Sequence, residues 1–171
     1  AVKTLQLYAE MNKDGVLSDK GSYMIALQAV CTLAEKEKAQ LIQKRFIKIT
    51  ALSIGRKLHD SVKERGFGSD VFIANTILTM YGKCRSISDA ENVFSELSNS
   101  DTVSWNAMLS AYIEQGQGDK AFHLFSKMQE KDVMLDEITL GCLLQACSLT
   151  GKKDICRQIH FIIISSGSDS S

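Results

Sequence analysis

Proline is absent from all 171 residues, where about 5% is usual. That absence leaves nothing to interrupt long helices and argues against a loop-rich β fold. Net charge is missing too. Twenty basic residues balance twenty acidic ones, so no overall positive field exists of the kind that drives non-specific nucleic-acid binding, and any such contact has to be local. Apolar runs such as Phe161 to Ile164 fall far short of the roughly 20 residues a membrane span needs, and no charged-then-apolar secretory signal opens the chain. The five cysteines, Cys31, Cys84, Cys142, Cys147 and Cys156, show neither CxxC spacing nor histidine pairing at zinc-site intervals. They read as reduced thiols in packing positions, and no metal or cofactor is expected.

What the chain does have is self-similarity. At an offset of 31 residues Asn75 falls on Asn106, Leu78 on Leu109, Tyr81 on Tyr112, Ala90 on Ala121, Phe94 on Phe125 and Asp70 on Asp101. Residues 3–11 align without gaps on 120–128, and Asp19 then falls on Asp136. A period of 31 to 35 residues fits stacked helical hairpins that bury a continuous core, and such arrays recognise extended partners along one face.

Within each unit the apolar residues recur at helical spacing. Ala90, Val93, Phe94, Leu97 and Ala121, Leu124, Phe125, Met128 each trace one amphipathic stripe, and the stretches Ile73–Tyr81 and Val103–Ile113 supply a helix ahead of each. Ser88 with Glu91 reads as a capping box, and Asp101 and Asp136 lie where a carboxylate accepts the orphan amides of a helix start. Trp105 and the tyrosines fall on packing stripes. The expected architecture is an all-α right-handed superhelical solenoid of about nine or ten helices.

One unit is longer than the rest. Leu27-Gln28-Ala29 matches Leu144-Gln145-Ala146 at offset 117, whereas Gly55 to His59 matches Cys156 to His160 at offset 101, a difference of 16 residues. The extra residues fall within 34–52. Their composition, with Ala39, Leu41, Ile42, Lys44 and Arg45, predicts that residues 35–52 are helical, lengthening the first helix or adding a turn. The basic side chains there have two readings, a phosphate contact or a solvated extension.

Asp101 to Met108, the later Ala121 to Met128 and Asp136 closely resemble a pentatricopeptide repeat. Residues 70–84 with Asp89 to Phe94 resemble its short variant, and the units bearing Lys57-Leu58-His59 and Gln158-Ile159-His160 its long variant. Alternating long, short and ordinary units resemble the plant PLS subclass. The expected organisation is a second helix at 1–19, a long unit with insertion at 20–70, a short unit at 71–101, an ordinary unit at 102–136 and a long unit at 137–171, a fragment of a longer array.

The resemblance implies single-stranded RNA binding at one base per repeat, read by a residue early in the first helix and by the last residue of the same unit. Carried onto this chain, Asn75 pairs with Asp101 and Asn106 with Asp136, the combination the family uses for uracil with cytosine second. An Asn amide offers a donor and an acceptor in one plane to a pyrimidine edge. Phe72, Val103 and Ile138 are the implied base-sandwiching side chains. The long units pair Met24 with Asp70 and Gly141 with Ser171, outside the Asn/Asp pattern, and Gly21 stands where the apolar residue belongs. The family's proline before the terminal Asp is replaced by Ser18, Ser69, Ser100 and Leu135.

By the same resemblance the chain is a module of an organellar RNA-processing or C-to-U editing factor in chloroplast or mitochondrion, with protein partners in the editing machinery and no membrane. The deaminase signature of His-x-Glu followed by Cys-x-x-Cys is absent from these residues. His59, His123 and His160 all fall in second helices and form no cluster, so no catalytic residue is expected. The alternative is a tetratricopeptide-like protein-interaction scaffold, whose concave face should carry basic or aromatic clamps in place of the recurring Asn and Asp.

Overall fold

The computed structural model describes residues 1–42 and 45–168. Among them, four helices begin in the same way. Asp19, Asp70, Asp101 and Asp136 are the N-caps of α2 (Lys20–Lys36), α4 (Val71–Lys83), α6 (Thr102–Glu114) and α8 (Glu137–Thr150). Each carboxylate accepts the backbone N–H three residues on, at 2.8 Å from Ser22, 3.1 Å from Ile73, 2.8 Å from Ser104 and 2.8 Å from Thr139. A negative charge there also complements the helix dipole.

Each of these helices is followed by a second one: α3 (Ile49–Glu64), α5 (Ile87–Glu96), α7 (Gly118–Glu130) and α9 (Lys153–Ser168), while α1 (Val2–Lys13) precedes the first pair. The chain is an all-α solenoid of helix-turn-helix units. The first helices pack on one another in order, α2 on α4, α4 on α6 and α6 on α8, and each also packs on its own second helix. That double packing explains their composition. Residues such as Ile73, Ala74, Ile77, Leu78, Met80 and Tyr81 bury most of the α4 surface, whereas α5 and α7 bury single stripes, Ile87, Ala90, Val93 and Ala121, Leu124, Phe125, Met128. Gly82 permits the close approach of α4 to α6, because an added Cβ would stand 3.1 Å from the Ala111 Cβ. Trp105 is buried edge-on against Phe94, which bears out its packing role.

The segment between α2 and α3 departs from the expected helix. The first helix has 17 residues against 13 in α4 and α6, but it stops at Lys36. Strands β1 (Gln40–Ile42) and β2 (Arg45–Ile47) then form an antiparallel pair in the register Gln40↔Ile47, Leu41↔Phe46, Ile42↔Arg45. Two forces override the helical composition. Ile42, Phe46 and Ile47 are β-branched or aromatic and favour a pleated strand. In addition, Glu37 leaves the helix with extended backbone and turns its carboxylate onto the start of α3, accepting from Thr50 N at 2.8 Å and Ala51 N at 2.9 Å. That contact closes the inserted segment into a loop and draws α3 back against α2, so the insertion stays inside its unit.

The start of α5 also differs from the sequence reading. Ser86, not Ser88, occupies the N-cap, and its hydroxyl donates to Asp89 at 2.6 Å, so Ser88 and Glu91 form no capping box. Arg85, just ahead, has φ of 61° and brings the chain out of α4 through the left-handed region, which permits the earlier start.

Candidate nucleic-acid interface

The capping carboxylates serve two partners at once. Besides holding the start of α6, Asp101 accepts from Asn75 Nδ2 of the preceding first helix at 3.1 Å. Asp136 does the same for Asn106, whose Nδ2 lies 2.8 and 2.9 Å from its two oxygens. The other end of each amide is held as well. Ser104 Oγ donates to Asn75 Oδ1 at 2.6 Å, and Thr139 Oγ1 donates to Asn106 Oδ1 at 2.7 Å. Asn75 and Asn106 are only 8% and 4% exposed, and both hydroxyl residues are fully buried.

This arrangement settles which way each amide faces. A carbonyl oxygen turned toward the carboxylate would set acceptor against acceptor, so the NH2 group faces the Asp and the oxygen faces the hydroxyl. An amide has two N–H donors and two lone pairs. Among the described residues each Asn therefore keeps one donor and one acceptor on the outer sides of the amide, the adjacent pair being closed in a ring by the Asp oxygen and the hydroxyl, which lie 2.8 and 2.9 Å apart in the two units. The carboxylates are held anionic. Burial pushes Asp101 and Asp136 upward, but the amide and hydroxyl of Ser104 or Thr139 and the Asn amide outweigh it, and both lie below the ordinary carboxylate value.

Apolar side chains stand on either side. Phe72, Val103 and Ile138 are each the second residue of their helix and are 67%, 58% and 61% exposed. Three successive first helices thus leave a large apolar side chain open to solvent at the same position. Between Val103 and Ile138 runs a cleft of about 260 Å³ with Asn106 in its wall and Thr79, Lys83 and Glu114 at its edge. Lys83 is neutralised by Glu114 at 2.7 Å.

The other sequence-derived pairs are not assembled in this way. Met24 is half-buried and packs on the core, while Asp70 is taken by Lys20 at 2.6 Å, whose hydrogen bond lowers the carboxyl. The same ammonium lies 4.9 Å from the centre of the Phe72 ring. Gly141 presents no side chain to open space, and its partner Ser171 lies outside the described residues. Lys20, Ser104 and Thr139 were missed in the sequence. The signal for the last two was present, since Asp19-x-x-Ser22, Asp101-x-x-Ser104 and Asp136-x-x-Thr139 repeat one pattern that is broken only at Asp70-x-x-Ile73.

A helical solenoid with this recurring Asn, Asp and hydroxyl constellation defines a class of repeat protein. Family profiles match it: "PPR repeat" over residues 72–101 and "PPR repeat family" over 100–148. Residues 72–148 thus match pentatricopeptide repeats. It is 32% identical over 151 residues to a mitochondrial pentatricopeptide repeat-containing protein of Arabidopsis thaliana, covering 88% of this chain and 19% of that one. To a chloroplastic one of the same plant it is 29% identical over 167 residues, covering 97% and 18%. The chain spans only 18–28% of the length of the curated relatives it matches. Among solved structures it is similar to the pentatricopeptide repeat protein PPR10 in complex with an 18-nt psaJ RNA element, with a TM-score of 0.67 and 19% identity over 88% of this chain and 20% of that one. At that identity the likeness shows the fold. Among the described residues no helix is long and apolar enough to cross a membrane.

Proposed function

We propose that this chain binds single-stranded RNA and reads it at one base per repeat, through Asn75 with Asp101 and Asn106 with Asp136. The observation that carries the reading is the pair of fixed amides, each holding one donor and one acceptor free beside exposed apolar side chains. Uracil offers N3–H to the amide oxygen or a carbonyl to the amide N–H, contacts that a purine edge can also make, so the preference for pyrimidines is what the family resemblance implies. Phe72, Val103 and Ile138 supply the faces between which successive bases stack. The relative solved with bound RNA has the same fold, which supports the class of partner.

In this reading the units run 20–70, 71–101, 102–136 and 137–171, as in the PLS subclass, and the chain is part of a longer organellar RNA-processing or editing factor that recruits protein partners. Relatives named mitochondrial and chloroplastic support the organellar location. The units with Met24 and Gly141 decode weakly, Met24 for want of a polar group and Gly141 for want of any side chain. Two stacked bases at ~1–3 kcal/mol each give the isolated chain roughly millimolar affinity. Titrating the ¹⁵N-labelled chain with oligouridine should move the side-chain amide signals of Asn75 and Asn106, and oligoadenosine should move them far less. Equal responses to both, or none at either amide, would overturn the reading in favour of a protein-binding scaffold.

A further inference from the structure

We propose that Ser104 and Thr139 are specificity-positioning residues, each setting the base choice of the repeat before its own. The proposal rests on Asn75 and Asn106 being the base contacts. The argument follows the protons. Asp101 Oδ1 already accepts from Ser104 N and Asn75 Nδ2, and Ser104 Oγ lies 2.8 Å from that oxygen and 2.6 Å from Asn75 Oδ1. A hydroxyl has a single proton. Pointed at either acceptor alone it would leave the other facing the hydroxyl oxygen, so the proton is shared between the amide oxygen, the nearer at 2.6 Å, and the carboxylate oxygen at 2.8 Å. Thr139 repeats the geometry, 2.7 Å to Asn106 Oδ1 and 2.9 Å to Asp136 Oδ1.

The carboxylate alone chooses which end of the amide faces it but leaves the plane free to tilt. The hydroxyl holds the other end, and with the covalent bond to Cβ these three points fix the plane of the amide. Without the hydroxyl, a nearly buried amide oxygen loses its protein partner, so the amide rotates to find another and its remaining donor and acceptor turn away from the base. Because each hydroxyl comes from the following unit, the effect of removing it is displaced by one repeat. Ser104 sits two residues from Asn106 in the same helix, yet governs the base facing Asn75.

The test is selection of a randomised single-stranded RNA pool on the 171-residue chain immobilised at millimolar density, so that roughly millimolar affinity retains RNA, with recovered sequences counted. The wild type should enrich two adjacent uracils. Thr139→Val, which keeps the shape, should relax one of them by about fivefold relative to adenine, the effect of one lost hydrogen bond. It should relax the same position as Asn106→Ala and leave the neighbouring one unchanged. Ser104→Ala should relax the other position, and Thr139→Ser should restore the wild-type pattern. The untouched neighbour shows in the same molecule that the fold survives. If Thr139→Val weakens recovery of all sequences alike, or leaves both preferences intact, the hydroxyls are structural only and the proposal fails while base reading stands. A wild type that enriches neither position removes the base-reading proposal and this one together.

Discussion

Replacing Asp136 by Asn separates the two tasks that this residue performs. Asparagine caps a helix as well as aspartate does, so its Oδ1 can keep the 2.8 Å bond from Thr139 N. Its second end cannot do what Oδ2 does. That atom lies 2.9 Å from Asn106 Nδ2, and an NH2 group there sets donor against donor. A charge-assisted hydrogen bond is thereby reduced to a neutral one, at about 1 kcal/mol, and the favourable charge at the α8 N-terminus is lost at a further ~0.3–1 kcal/mol. The expected total is about 1–2 kcal/mol, which lowers the melting temperature of a chain of this size by roughly 2–8 °C at neutral pH. Acid supplies the check on cause. The folded-state carboxyl of Asp136 lies below the ordinary 3.8 of a free side chain, so its stabilisation is complete above that value and is lost as pH falls through the lower, folded-state one. Thermal unfolding followed by circular dichroism should show the variant's deficit at pH 7 and its shrinking as pH falls below 3.8. A variant as stable as the wild type at pH 7, or a deficit undiminished in acid, would refute the assignment of the effect to an ionised carboxylate facing Asn106.

Three further outcomes are expected. Arg85→Gly should raise stability by about 0.5–1 kcal/mol in urea unfolding, because Arg85 holds φ of 61°, where a side chain strains the backbone and glycine does not. Glu37→Gln should cost about 0.5–1 kcal/mol by weakening the charged cap on Thr50 and Ala51, with faster amide exchange at the start of α3 as its signature. Burial pushes the Cys31 and Cys84 thiols up to about 11 and about 12. Both should resist alkylation in the native chain at pH 8 and react fully in denaturant, as mass spectrometry would count.

How much of this was legible beforehand follows from how local each feature is. The helical stripes of α5 and α7 and the capping role of Asp101 and Asp136 depend on residues within a turn or two of one another, and the repeat shows as a fixed offset, so sequence spacing alone determined them. Asn75 and Asn106 were legible for the same reason, as positions recurring in register with the caps. The inserted segment was not. Its helix-forming composition is a weak local preference, and a carboxylate thirteen residues from the backbone it caps, Glu37 on Thr50, overrode it. Nor could spacing reveal that Lys20 occupies Asp70 from 50 residues away, or that Ser104 and Thr139 hold amides 29 and 33 residues earlier in the chain. Those contacts exist only because successive first helices stack side by side. Sequence periodicity determined which residues stand at the face, and the stacking of one unit on the next decided which of their donors and acceptors remain free.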